Sequence, residues 1–104
     1  MKVVFHIDEQ EKWAETASNV KNLLKEPDKI TIIILVNGTA ITGYLAAENQ
    51  AFIATEGVTF HACNNAMRAN KIVKEQLPKD VVVVSAGVLD LIELQAENYA
   101  YIKP

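Results

Sequence analysis

Short apolar runs rich in β-branched residues recur along the chain, and the clearest are Val3–Ile7 and Ile30–Val36. Both runs are nearly continuous in apolar residues instead of alternating with polar ones, which predicts strands buried on both faces. Weaker runs of the same kind predict further strands at 58–62, 81–84 and 99–103.

Each gap between these runs has the pattern of a helix. The first predicted helix follows Asp8 and reaches about Lys25, since Pro27 stops it, and the others lie at 42–56, 64–76 and 88–98. Strands and helices therefore alternate strictly. This order predicts the α/β class, as a three-layer α/β/α sandwich, flavodoxin-like in outline, around a five-stranded, mainly parallel sheet. We expect residues 1–104 to form a single domain.

The fourth predicted helix carries more apolar surface than one side of a sheet covers. Val88, Leu89 and Ile92 are expected to face the sheet, while Leu91 and Leu94 fall on an adjacent face. Such a wide apolar girdle is typical of a subunit interface, although a closely packed neighbouring helix would also explain it. We therefore expect a homo-oligomer.

Composition and charge narrow the choice of partners. The chain has a formal net charge of −3, and its 10 basic residues are scattered among acidic ones. It offers no basic stripe for the phosphates of nucleic acid. Residues 1–8 lack the apolar core of a signal peptide, and no apolar run approaches the roughly 20 residues that span a bilayer. We predict a cytoplasmic protein with neither nucleic acid nor a membrane as partner.

The only cysteine, Cys63, lies where the third predicted strand gives way to a helix. Ligands and chemistry gather at this end of the strands in parallel α/β sheets. If the helix starts at Asn64 or Asn65, its unpaired N–H groups favour a negative charge on the sulfur. Alternatively, Cys63 is a small apolar residue at the edge of the core, as many free cysteines are. Because one cysteine forms no internal disulfide, any chemistry of this thiol involves another molecule.

Three other positions are candidates for the same site. His61 precedes Cys63 by two residues, so on a strand it points to the same face and is either a proton partner or a satisfied polar group. Asn37-Gly38-Thr39 and Ser85-Ala86-Gly87 end the second and fourth predicted strands, and the first of these segments offers backbone donors there.

Several common chemistries lack their sequence signatures. The two histidines and the cysteine match no metal-ligand spacing, and the chain has neither a P-loop lysine nor a dinucleotide glycine pattern. A triad of Ser85, His61 and Asp90 is conceivable, but no G-x-S-x-G elbow is present and we discount it. We expect neither a metal ion nor any other cofactor.

Three stretches resemble the DsrE/DsrF-like family, small α/β proteins associated with intracellular sulfur oxidation and sulfur relay. They are GVTFHACNN at 57–65, SAGV at 85–88 and LQAENYAYIKP at 94–104. The last stretch is very similar to the terminus of the single-cysteine branch, and the resemblance covers essentially the whole chain. It implies a persulfide on Cys63 that is received from one protein and passed to another. It also implies trimers or hexamers, with the cysteine near a subunit boundary.

Residues and resemblance together predict a sulfur-relay protein, either a sulfurtransferase or a carrier that turns over no small-molecule substrate. Cys63 would carry the sulfur, the helix start at Asn64 and Asn65 would stabilise its thiolate, and His61 would exchange protons. One alternative is a ring-forming scaffold or small-ligand binding module that uses a crevice between Asn37-Gly38 and Ser85-Gly87, with Cys63 as packing. A redox or peroxide sensor, which needs a thiol from another subunit, is the other.

Overall fold

Five strands form one parallel sheet at the centre of the protein. The computed structural model describes residues 1–104. The strands are β1 (Lys2–Ile7), β2 (Thr31–Val36), β3 (Val58–Cys63), β4 (Val82–Val84) and β5 (Ala100–Ile102). Their order across the sheet is β4-β3-β2-β1-β5, and every neighbouring pair runs parallel. The predicted α/β fold with a five-stranded parallel sheet is confirmed.

Four α-helices connect the strands, and two of the predicted helices are shorter than expected. The helices are α1 (Lys12–Leu23), α2 (Gln50–Ile53), α3 (Asn64–Ala69) and α4 (Gly87–Ala96). Short 3-10 helices at Gly38–Leu45 and Ala47–Asn49 precede α2, and a third follows α3 at Lys74–Gln76.

The continuous helix predicted at 42–56 is wrong. Ala46 has an extended backbone, with φ −79° and ψ 133°, which separates the two 3-10 helices. Gly43, inside the first of them, lies against the indole of Trp13 at a distance that only a residue without a side chain allows. Packing against α1 therefore shapes this segment more strongly than its helical propensity does.

The helix predicted at 64–76 ends early, at Ala69. Lys71 takes a left-handed conformation with φ 57°, and the N–H of Ile72 donates to the Met67 carbonyl at 2.8 Å. These are the features of a Schellman motif, in which the left-handed position is usually glycine. Because lysine stands there, the sequence carries no stop signal.

Two apolar cores lie on opposite faces of the sheet. The larger core contains 18 buried residues, including Trp13 of α1, Ile53 of α2 and Met67 of α3. The smaller has only 5 buried residues, among them Leu91 and Leu94 of α4. One face of the sheet is thus covered by three helices and the other by α4 alone.

The faces of α4 are the reverse of those predicted. Leu91 and Leu94 are buried, whereas Val88, Leu89 and Ile92 are exposed by 64%, 48% and 59%. The buried residues of α4 recur at helical spacing and form its inner face; they are Gly87, Asp90, Leu91 and Leu94. The apolar residues expected to contact the sheet instead form an exposed strip, which we call the α4 strip and define as Val88, Leu89 and Ile92.

Candidate functional site

Strands β3 and β4 end side by side, but their connections leave on opposite faces of the sheet. Cys63 pairs in register with Val84. From there β3 continues into α3 on the side of the larger core, whereas β4 continues into α4 on the other side. Diverging connections of this kind define the topological switch point of a parallel sheet, where ligands and chemistry gather. Cys63 is the last residue of β3 and lies at this point.

The sulfur of Cys63 accepts two backbone hydrogen bonds. The N–H of Ala66 donates to Sγ at 3.4 Å, so that Cys63 is the N-cap of α3, and the N–H of Gly87 donates at 3.2 Å from the start of α4. Two N–H donors aimed at one sulfur stabilise a negative charge on it. Cys63 is only 5% exposed, so little of its surface is in contact with solvent.

The predicted helix start at Asn64 is confirmed, but the two asparagines donate no hydrogen bond to the sulfur. Asn64 is half-buried and Asn65 is exposed. The charge-stabilising donor from this helix is the N–H of Ala66, at the position where an N-cap side chain is expected to accept. Asn64 and Asn65 therefore begin α3 without supplying the hydrogen bond.

Gly87 allows the start of α4 to approach the end of β2. A Cβ atom at this position would lie 3.1 Å from Asn37 Cβ and 3.3 Å from Leu35 Cδ1. The close approach carries the Gly87 N–H to the sulfur, and it leaves little space between Gly87 and Asn37. None of the four surface cavities is lined by Gly87, Asn37 or Cys63.

Two of the predicted site positions make no hydrogen bond to the sulfur. Ser85 is exposed on the turn before α4. Gly38 takes a positive φ of 59° and packs beside the Asp8 carbonyl, where an added Cβ would lie 3.3 Å from the oxygen. Gly87 therefore lies against both Cys63 and Asn37, whereas neither Ser85 nor Gly38 hydrogen-bonds to the sulfur.

His61 pairs with Asp90, the aspartate of the discounted triad. Its Nδ1 lies 2.7 Å from Oδ2 of Asp90, and the two side chains are only 13% and 11% exposed. His61 makes no hydrogen bond to Cys63. Asp90 follows Gly87 by one helical turn, and that spacing is the signal in the sequence that places it on the inner face of α4.

Sequence comparison assigns the chain to a family. The model of the DsrE/DsrF-like family matches residues 2–104. This chain belongs to the DsrE/DsrF-like family. The assignment made from the three short stretches is thereby confirmed.

This DsrE/DsrF-like protein also resembles a solved structure of a protein of unknown function, MTH1491 from Methanobacterium thermoautotrophicum. The two are 30% identical in sequence, with a TM-score of 0.88 over 99% of this chain and 98% of that one. No curated protein matches the chain. The comparisons therefore show the family and the fold.

A polar network holds Asn37 in place beside Gly87. His6 Nε2 lies 2.8 Å from Asn37 Oδ1, and His6 Nδ1 lies 2.7 Å from the Tyr101 hydroxyl. An amide oxygen only accepts, so Nε2 carries the hydrogen and the Tyr101 hydroxyl donates to Nδ1. The side chains of β1, β2 and β5 are thus linked at the carboxyl edge of the sheet, and the Asn37 oxygen is already occupied.

Tyr44 contacts β3 from the side of the larger core. It is fully buried, and its hydroxyl donates to the His61 carbonyl at 2.7 Å. Burial raises the pKa of the Tyr44 phenol well above its ordinary value, because the low-dielectric core disfavours the phenolate. The backbone of β3 next to the sulfur is therefore held by a neutral hydroxyl.

Two other features bear on what the protein binds. No group of three or more histidine, cysteine, aspartate or glutamate side chains is arranged to hold a metal ion. None of the helices combines the length and the apolar character needed to cross a membrane.

Proposed function

We propose that this DsrE/DsrF-like protein is a sulfur-relay protein that carries sulfane sulfur as a persulfide on Cys63. The observation that supports this most directly is the pair of N–H groups on Sγ, from Gly87 at 3.2 Å and Ala66 at 3.4 Å. The thiolate is the reactive form of a cysteine, and these donors stabilise it. They support both the attacking sulfur during loading and the leaving sulfur during transfer.

Loading and transfer are two thiol exchanges. In loading, the Cys63 thiolate attacks the outer sulfur of a donor persulfide, the donor's S–S bond breaks, and the donor leaves as a thiolate. In transfer, an acceptor thiolate attacks the outer sulfur on Cys63 and releases the Cys63 thiolate. No oxidant or reductant is consumed. Because the chain has a single cysteine, the persulfide is not lost to an internal disulfide.

The surroundings of Cys63 support proteins as donor and acceptor. Sites for small molecules are concave and enclose most of their ligand. Cys63 lines none of the surface cavities, which lie on other parts of the protein. A partner protein that presents its own cysteine does not need such a cavity. The cytoplasmic location is part of the same proposal, since thiols stay reduced there.

We further propose that the protein is a homo-oligomer, a trimer or hexamer, assembled through the α4 strip. Val88, Leu89 and Ile92 leave three large apolar side chains on the surface of one ten-residue helix. Contiguous exposed apolar surface of this kind marks interaction sites. The strip begins next to Gly87, whose N–H contacts the sulfur. An interface here brings a neighbouring subunit close to Cys63.

The test is intact-mass spectrometry after exposure of the native protein to inorganic polysulfide, with Cys63→Ser as the matched control. We expect the native chain to gain one sulfur atom, the gain to be reversed by reductant, and the serine variant to gain none while it folds and assembles normally. Failure of the native chain to gain sulfur contradicts the proposal.

The burial of Cys63 favours a second candidate, a ring-forming scaffold in which the cysteine is packing. The side chain belongs to the larger core and is only 5% exposed. Alkylation separates the two candidates, because a packed thiol reacts only after unfolding. Reaction in the native state supports the carrier, and shielding together with the absence of sulfur gain supports the scaffold.

A further inference from the structure

We infer that Asp90 positions His61 as the proton acceptor for the thiol that takes sulfur from Cys63. The inference rests on the proposed function and adds a residue to it. It also defines the substrate class of the transfer step, which is a thiol that arrives protonated and needs a base at neutral pH.

The contact with Asp90 selects one tautomer of His61. Oδ2 of Asp90 lies 2.7 Å from Nδ1 of His61. A carboxylate only accepts, so Nδ1 carries the hydrogen and Nε2 is left with its lone pair. Nε2 is therefore the basic nitrogen of the neutral ring.

Nε2 is also the nitrogen that is free to react. It has no hydrogen-bond partner in the protein, and no polar side-chain atom that is buried lacks a partner. Nε2 must therefore reach solvent, although the His61 side chain as a whole is only 13% exposed. The ring is therefore hydrogen-bonded at Nδ1 and in contact with solvent at Nε2.

The first turn of α4 contacts both the sulfur of Cys63 and the imidazole of His61. The N–H of Gly87 contacts the sulfur, and the carboxylate of Asp90, three residues later, contacts the imidazole. On β3, His61 and Cys63 are two residues apart, which places their Cα atoms about 6.6 Å apart. The base and the sulfur are neighbours without a hydrogen bond between them.

The transfer step then balances without a co-reactant. The acceptor thiol gives its proton to Nε2, and its sulfur attacks the outer sulfur of the Cys63 persulfide. The S–S bond breaks, and its electron pair stays on Cys63 as a thiolate, which accepts from Gly87 and Ala66. The imidazolium, held by Asp90, returns the proton to solvent or to Cys63. One persulfide is consumed and one is formed.

Asp90 is the only titratable side chain hydrogen-bonded to the imidazole. The strands on either side of β3 place Leu35 and Val82 opposite His61, and the Tyr44 hydroxyl reaches its backbone carbonyl instead of the ring. A change at Asp90 therefore acts on the imidazole without a second charged neighbour to replace it. The simpler explanation is that the pair only fastens α4 to the sheet, and a pH profile separates the two roles.

The experiment compares the native protein with His61→Gln, Asp90→Asn and Asp90→Glu. Glutamine can still donate to Asp90 but is not a base, whereas asparagine keeps the shape of Asp90 but removes its charge. Each protein is loaded with inorganic polysulfide and checked by intact mass. The rate of sulfur loss to excess 2-mercaptoethanol is then measured from about pH 6 to about pH 10, a range that spans the ordinary ionisation of both histidine and thiols.

We expect all four proteins to load. Below the range in which the acceptor thiol ionises by itself, His61→Gln should transfer sulfur about 100-fold more slowly, which is typical of a lost general base. Asp90→Asn should be slower by about 10-fold or more, and Asp90→Glu should recover part of the rate. Above that range, where the thiol needs no base, all rates should converge on the native rate.

The outcomes separate the inference from the function on which it rests. If the variants load and keep the native pH profile, or are slower by the same factor at every pH, Asp90 and His61 have a structural role and the inference is overturned. If Asp90→Asn does not fold, His61→Gln alone decides between these profiles. If the native protein does not load at all, the proposed function fails and the inference fails with it.

Discussion

Replacing Gly43 with alanine tests the packing that shapes the segment between β2 and β3. An added Cβ would collide with Nε1 and Cε2 of the Trp13 indole and lie 2.7 Å from its Cδ1. The indole is buried and donates to the Ala40 carbonyl at 2.9 Å. It also meets the ring of Tyr44 edge-on at 5.2 Å. Because carbon atoms pack at about 3.5–4.0 Å, the indole must move by about 1 Å or more.

The expected loss of stability is about 3 kcal/mol. Overpacking a filled core costs about 1–3 kcal/mol. Leaving the Ala40 carbonyl without its donor costs about 1–3 kcal/mol more. Alanine recovers about 0.4–1 kcal/mol, because it restricts the unfolded chain more than glycine does. A small protein has only about 5–15 kcal/mol of stability in total, so the variant should be severely weakened.

Urea unfolding followed by tryptophan fluorescence is the assay, since Trp13 is the only tryptophan. For a slope of about 1–3 kcal/mol per M, the midpoint should fall by about 1–3 M, and the native emission should shift because the indole has moved. Gly57→Ala is the control. Its added Cβ meets nothing within 4 Å, but its φ of 84° is left-handed. That strain costs about 1–2 kcal/mol without touching the indole. An emission spectrum and midpoint for Gly43→Ala equal to those of the native protein would refute the steric argument.

Two further changes test the surface and the core. Ile92→Asp places a charge in the α4 strip and should convert the oligomer to monomers, as measured by light scattering. The control Asn19→Asp adds the same charge on the exposed face of α1 and should leave the oligomer intact. If the molecular mass is unchanged for both variants, the proposed interface is contradicted. Tyr44→Phe should lose about 1 kcal/mol at neutral pH through the hydrogen bond to His61. Above the ordinary Tyr44 pKa of 10.0 the unfolded phenol ionises while the buried one stays neutral, so native stability falls by up to about 1.4 kcal/mol per pH unit. The gap to Tyr44→Phe, measured by urea unfolding, should therefore narrow as the pH rises, and a constant gap contradicts this.

Short-range patterns were sufficient to predict the sheet and the position of the thiol. Runs such as Ile30–Val36 are nearly continuous in apolar residues because both faces of a central parallel strand are covered. Such a run can be recognised from the sequence alone. The change from an apolar run to a helical pattern at Cys63 likewise marks the end of β3 and the start of α3. The family could be recognised from the same local stretches.

The helices were less predictable, because their limits depend on contacts with distant residues. The segment at 42–56 is broken where Gly43 packs against Trp13, 30 positions earlier in the sequence. In α4, two apolar faces of similar strength were available, and periodicity alone does not select between them. The docking of Gly87 against Asn37 selects the face with Leu91 and Leu94.

The sequence alone determines the class of fold, the family and the location of the only thiol at a strand end, since each depends on neighbouring residues. The chemistry around that thiol depends on pairs that are remote in sequence. The Gly87 N–H reaches the sulfur across 24 positions, and Asp90 reaches His61 across 29. Both contacts exist because β4 lies in register with β3 and α4 then crosses the opposite face of the sheet. Register and crossover are properties of the assembled sheet, so no local pattern encodes the partners of Cys63 and His61.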